Sequence, residues 1–107
     1  MSGPVVRKWE ASIARADIAG WVKTYRDRVL DHVRAVPGFQ DVTFLAERDD
    51  DPCRVTVLMT WDDMDAIRAF AGDDPAQTVL PDFMAPFFPD YDTRATFHDR
   101  VLVETAT

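Results

Sequence analysis

The sequence predicts an α+β fold of the ferredoxin-like class, ordered β-α-β-β-α-β, in which a four-stranded antiparallel sheet carries two helices on one face. Three observations predict it. Runs of period two and runs of helical period follow one another along the chain in that order. The polar turn Asp49-Asp50-Asp51-Pro52 folds two neighbouring alternating runs into a hairpin. An apolar run ending at Trp61 then passes at once into a short helical pattern that stops at Gly72.

The first strand, roughly Val5 to Ile13, sets Val5, Arg7, Trp9, Ala11 and Ile13 against Val6, Lys8, Glu10 and Ser12. Asp17 is placed to cap a helix. In that helix Ile18, Trp21, Val22, Tyr25, Val29, Val33 and Val36 fall at offsets 0, 3, 4, 7, 11, 15 and 18, a single apolar stripe. Its opposite face carries Lys23, Asp27, Asp31 and Arg34 at spacings that allow mild ion pairing in water. Pro37-Gly38 ends the helix, because proline disfavours helical geometry in the residue before it and glycine accepts a left-handed turn.

Phe39 to Arg48 alternates again, and after the aspartate turn Cys53 to Trp61 places Val55, Val57, Met59 and Trp61 on one face. The aspartates have neither the oxygen spacing nor the terminal Glu of a calcium loop, so they read as a solvated turn. Asp62 stands where an N-cap belongs, Asp65 lies in the electropositive first turn, and Met64, Ile67, Phe70 and Ala71 form the inward stripe of the second helix, closed by Gly72. From Asp73 to Asp90, Pro75, Pro81, Pro86 and Pro89 surround Phe83, Phe87 and Phe88. So long and aromatic a connection, without regular structure, reads as a lid or a wall. Tyr91 to Val103 supplies the last strand, with Ala95, Phe97, Val101 and Val103 on one face and Arg94, Thr96, His98 and Arg100 on the other.

The sheet's second face needs cover as well. Val5 and Val6, and Val42 and Phe44 beside Phe39 and Leu45, put apolar side chains on both parities, so the cover is expected from another copy: a homodimer whose sheets meet. The 107 residues suit one domain, residues 1–107. A formal net charge of -7 argues against a polyanionic partner, so no nucleic acid is expected. No apolar stretch is long enough to span a membrane and the N-terminus lacks the layout of a signal peptide, which gives a cytoplasmic expectation. Cys53 is alone, without a disulfide partner or metal-site spacing, and reads as a small buried residue.

Three stretches carry a family resemblance: Arg7-Lys8-Trp9 on the first strand, Val36-Pro37-Gly38-Phe39 after the first helix, and Trp61 to Gly72, TWDDMDAIRAFAG with its leading Thr60. With the acidic Asp90-Tyr91-Asp92 leading into the last strand, the chain resembles the antibiotic biosynthesis monooxygenase-like family of the dimeric α+β barrel superfamily over nearly its whole length. Members include cofactor-independent oxygenases of aromatic polyketides, haem-degrading oxygenases and small isomerases or cyclases. Relatives commonly have a Tyr-Pro pair after the second helix and a His-Tyr pair on the last strand, where this chain has Leu80-Pro81 and Phe97-His98. Haem degradation requires an axial ligand, usually His; haem-degrading relatives place theirs after the second helix, where Val79-Leu80 offers no replacement, and neither His32 nor His98, the two histidines of the chain, lies there.

The resemblance implies a monooxygenase that uses no cofactor and no metal and acts on a flat aromatic substrate of the polyketide, anthrone or quinol type. Such a substrate's anion passes an electron to oxygen itself. The protein must supply an apolar pocket, a few polar groups and exclusion of water. Candidate walls are Trp9, Trp21, Trp61, Phe70, Phe83 and Phe87, and candidate catalytic groups are Arg7, Tyr25 and His32. Each has a plainer use. Trp61 and Phe70 suit any core; Tyr25 can simply pack; His32 can be a boundary residue; Arg7 can pair with Glu10 or Glu104 rather than with an oxyanion. His98 shares a face with Thr96 and Arg100, which suits a dimer contact or solvent. Two other readings stand beside the oxygenase: a non-catalytic dimeric module binding a small hydrophobic ligand, and an isomerase or cyclase of the same fold.

Overall fold

A computed structural model describes residues 3–107; Met1 and Ser2, the start of the N-terminal stretch that lacks a signal-peptide layout, lie outside the described residues. The elements run β1 (Val5–Ile13), α1 (Ile18–Arg28), α2 (Leu30–Arg34), β2 (Phe39–Ala46), β3 (Cys53–Trp61), α3 (Met64–Ala71), β4 (Asp90–Tyr91) and β5 (Thr96–Asp99). The sheet is antiparallel, ordered β2-β3-β1 with β4 and β5 both on the free side of β1. This is the expected ferredoxin-like α+β arrangement, with one change. The last strand is two short pieces: β5 pairs with residues 5–8 of β1, and β4 with Ala11 and Ser12.

The anticipated strand to Val103 therefore stops at Asp99, and Val101, Leu102 and Val103 stand 91%, 72% and 65% exposed. The break has a cause in residues 93–95, which leave β1 to pair with a different segment. The Ala95 N–H donates to the Ala76 carbonyl at 2.7 Å, the Thr78 N–H to the Thr93 carbonyl at 3.3 Å, and Gln77 bridges to Arg94.

The first helix is interrupted. Val29 takes φ -119° and ψ -44°, so α1 and α2 meet at a kink across which the Val29 N–H still reaches the Tyr25 carbonyl at 2.9 Å. The apolar stripe continues across the kink: Val33 is buried, and His32 beside it is exposed. Neither expected cap is made. Asp17 forms no side-chain cap, and at α3 it is Asp63, not Asp62, whose carboxylate accepts the Ala66 N–H at 2.9 Å. Asp62 instead accepts from the Gln40 side chain at 2.8 Å, beside the bulge where β2 shifts register between Phe39 and Asp41. Gly38 and Gly72 have φ of 94° and 99°, and a Cβ on Gly38 would lie 2.6 Å from that of Ala66, so the chain before β2 passes directly against α3.

The inner face of the sheet is apolar where it meets the helices. Ala11, Ile13, Cys53, Val55 and Trp61 are fully buried, and Ile67 of α3 closes over them. The outer face, with Val6, Lys8 and Glu10 of β1 and Arg54, Thr56 and Leu58 of β3 only half covered, is more charged than the alternation alone suggests. Arg54 there lies 2.8 Å from Asp92, 3.6 Å from Asp90 and 4.0 Å from Glu10. No helix among the described residues is long and apolar enough to cross a membrane.

Candidate functional site

Between the inner face of the sheet and the three helices, the connection 73–89 runs as a strap that closes the side of a hollow. Two chambers adjoin there. The inner one, about 80 Å³, is walled by Arg7, Trp9, Val57 and Met59 of the sheet, Trp21 and Tyr25 of α1, and Leu80, Met84 and Phe88 of the strap. The outer one, about 350 Å³, is walled by Arg28, His32, Val36 and Phe83. Val29, Val33, Phe70, Val79 and Pro81 line both, so these five side chains are the partition.

Arg7 is the one charged group of the inner chamber and is only 4% exposed. Its Nε donates to the Pro75 carbonyl at 3.1 Å and its Nη2 to the Gln77 carbonyl at 2.5 Å, while the guanidinium lies 5.5 Å from the centre of the Phe70 ring. It has no carboxylate partner among the described residues. Burial lowers its pKa to about 10, which leaves it charged at neutral pH. A buried cation met only by carbonyl dipoles and a ring face is incompletely compensated.

Tyr25 reaches the same chamber from α1. Its ring packs edge-on against Phe44 at 4.8 Å, and its hydroxyl is buried without a hydrogen-bond partner. Burial pushes its pKa up to about 12, so the phenol keeps its proton across any physiological range and can donate but not act as a base. A groove of about 550 Å³ lies on the other side of Tyr25, between Arg26 and Arg34 of the helices and the edge strand β2.

The aromatic walls are mutually braced. Trp21 stacks face to face on Phe44 at 4.2 Å, and Phe88 meets both Trp9 and Trp21 edge-on at 5.4 Å. The Trp9 indole N–H donates to the Asp92 carbonyl at 2.8 Å and to the Thr78 hydroxyl at 3.2 Å, tying β1 to the root of the strap.

Of the residues singled out from the sequence, Arg7, Tyr25, Trp9, Trp21 and Phe70 converge on the inner chamber, and His32 and Phe83, with Phe70 again, on the outer. Trp61 lines neither: it is fully buried between Phe39 and Phe70, at 5.3 and 5.1 Å, with its indole N–H unpartnered. Phe87 lines neither and lies against Gly20. His98 is exposed and bonded to the Thr96 hydroxyl at 2.8 Å. Phe44, Met84 and Phe88 also form the wall; of these the sequence points only to Phe88, as one aromatic of the connection that reads as a lid or a wall. Phe44 was detectable, since it shares parity with Val42 on the core side of β2; nothing in the pattern of an irregular strap distinguishes Phe88 from Phe87. Among the described residues no group of three or more His, Cys, Asp or Glu is arranged to hold a metal ion.

No protein-family profile matches this chain, and neither does any curated protein sequence. Solved structures do. The chain superposes on a candidate antibiotic biosynthesis monooxygenase from Bacillus cereus with a TM-score of 0.67 and 12% identity over 98% of both chains. It superposes on the monooxygenase from the gene ActVA-Orf6 of Streptomyces coelicolor, solved in complex with nanaomycin D, with a TM-score of 0.65 and 22% identity over 98% of this chain and 94% of that one. SnoaB, a cofactor-independent oxygenase from Streptomyces nogalater, matches with a TM-score of 0.54 and 19% identity over 99% of this chain and 98% of its own. Identities this low speak to the fold alone: the chain has the fold of the antibiotic biosynthesis monooxygenase-like proteins.

Proposed function

We propose that residues 1–107 form one half of a homodimeric, cofactor-independent monooxygenase-like protein that acts on a flat aromatic compound of the polyketide, anthrone or quinol type. The observation that carries this reading is Arg7: a buried guanidinium, without a carboxylate, set in a wall of aromatic and aliphatic side chains. A planar guest ionised to a phenolate or enolate supplies the missing counter-charge, and the aromatic walls accept its faces. That neighbours in fold bear the names of oxygenases favours the same chemistry.

With an anthrone the steps balance as follows. The ring methylene loses a proton to the imidazole of His32, and the enolate oxygen pairs with Arg7. The anion gives one electron to molecular oxygen, and the resulting radical and superoxide combine to form a carbon–oxygen bond. Protonation gives a hydroperoxide, which loses water as its O–O bond and the remaining C–H bond break. One anthrone and one O2 become one quinone and one water. Tyr25, holding its proton, donates a hydrogen bond to the guest; Trp9, Trp21 and Phe70 hold the plane and exclude water.

The inner chamber of about 80 Å³ is too small for three fused rings, since small-molecule pockets run to roughly 300–1,000 Å³. Binding on this proposal joins the two chambers by displacing the partition side chains of the strap, Val79 and Pro81. The same small volume favours the second reading, a dimeric module whose interior is mostly filled. An isomerase or cyclase differs by its product, which carries no added oxygen.

The dimer rests on the outer face of the sheet, where Val6 and Leu58 are half covered and Leu45 is 49% exposed, and on the three apolar residues that extend past β5. The test of function is aerobic and anaerobic incubation with anthrones and dihydroquinones, comparing the unaltered protein with Tyr25→Phe. Oxygen-dependent quinone formation well above background, reduced in Tyr25→Phe, is expected; none with any member of the panel would leave the binding module in its place.

A further inference from the structure

The outer chamber has only two polar side chains, Arg28 and His32, on an otherwise apolar wall. The guanidinium of Arg28 lies over the face of Phe83, 3.7 Å from the ring centre. On the same helices Lys23 pairs with Asp27 and Arg34 lies 3.9 Å from Asp31, while Arg26, which pairs with no carboxylate among the described residues, lines the separate groove beside β2. Arg28 has no carboxylate partner among the described residues, although the chain's net charge of -7 leaves acidic groups in excess.

Stacking on a ring occupies the face of a guanidinium and fixes its plane while its N–H groups, which point outward in that plane, stay free to donate. That is the geometry for two parallel hydrogen bonds to a carboxylate. Arg28 stands on the outer chamber and Arg7 on the inner, on either side of the five shared partition residues, so that displacing Val79 and Pro81 brings both to one hollow. A guest lodged against Arg7 by its ring oxygen extends its far end toward Arg28.

We infer that Arg28, held flat by Phe83, is a specificity-determining residue that selects planar aromatic guests bearing a carboxylate at the end opposite the ionisable ring oxygen. The inference rests on the proposed occupancy of the hollow by a flat aromatic compound. It goes beyond that reading by naming the second functional group of the ligand and the residue that reads it.

The experiment is equilibrium binding of two redox-inert probes that carry a ring hydroxyl opposite the group tested, 6-hydroxynaphthalene-2-carboxylate and 6-hydroxynaphthalene-2-carboxamide, followed by quenching of tryptophan fluorescence in the full chain. Trp9 and Trp21 in the chamber wall supply the signal. The unaltered protein is expected to bind the carboxylate about tenfold more tightly than the amide, a difference of about 1.4 kcal/mol. In Arg28→Gln the ratio should fall to about one. In Arg28→Lys, which keeps the charge but loses the planar fork, it should fall in between. Arg28 is exposed, so both variants are expected to fold, and thermal melts check this. Equal binding of the two probes to the unaltered protein, or a preference that survives in Arg28→Gln, overturns the carboxylate inference while leaving an aromatic site standing. Binding of neither probe overturns the aromatic site and the inference with it.

Discussion

Replacing Arg7 with Met asks whether that side chain holds up the fold or only latches the strap. Burial lowers its pKa from 12.5 to about 10, and at about 1.36 kcal/mol per unit the charged form costs roughly 3.4 kcal/mol to bury. Against this stand two bonds to the carbonyls of Pro75 and Gln77, worth about 1.5–3 kcal/mol each for a charged donor. The two sides nearly offset, so Arg7→Met should change global stability by no more than about 3 kcal/mol.

The local effect is larger in kind. Loss of even one such bond lowers the cost of lifting the strap by about 1.5 kcal/mol, which speeds amide exchange there by about tenfold. Urea denaturation reads the first quantity, and hydrogen exchange at the amides of Gln77 and Thr78, which donate to the carbonyls of Asp74 and Thr93, reads the second. A global loss above about 4 kcal/mol with unchanged exchange at those amides would refute the reasoning and make Arg7 a core keystone.

Two further outcomes concern Tyr25 and Leu58. Tyr25 has its pKa raised by burial from 10.0 to about 12. The unfolded chain thus ionises first, so stability is fully present below pH 10 and is lost as pH rises toward 12, by at most about 2.7 kcal/mol. Tyr25→Phe should flatten that part of the stability profile in denaturant titrations at stepped pH. Leu58 sits mid-face on β3, paired with Lys8 and Thr43; Leu58→Glu should halve the mass measured by analytical ultracentrifugation, and an unaltered protein already monomeric at micromolar concentration would remove the proposed dimer.

Much of this architecture was legible because alternation and helical spacing leave period-specific marks. The odd residues of β1 and β3 face the helices just as their pattern requires, and Gly38 and Gly72 end their segments at positive φ. Caps were harder, because Asp62 and Asp63 offer the same carboxylate one residue apart, and it is contact with the chain before and within β2, through the Gly38 carbonyl and Gln40, that occupies Asp62. The kink at Val29 left no mark, since the apolar stripe runs through it. The site was partly legible: Arg7 and Tyr25 announce themselves as polar groups at inward positions. Trp61 stood at an equally inward position, yet Phe39 and Phe70 enclose it, a fact of three-dimensional packing that spacing along the chain does not carry.

The division of the last strand into β4 and β5 bears on how this scaffold can be altered. Residues 93–95 are diverted from β1 to grip residues 76–78, so the near end of the strap is stitched to the sheet while Val79 to Phe83 hang free of that stitching. An engineer seeking room for bulkier guests can therefore splice extra length between Val79 and Asp82, leaving the seam and every strand register as they are.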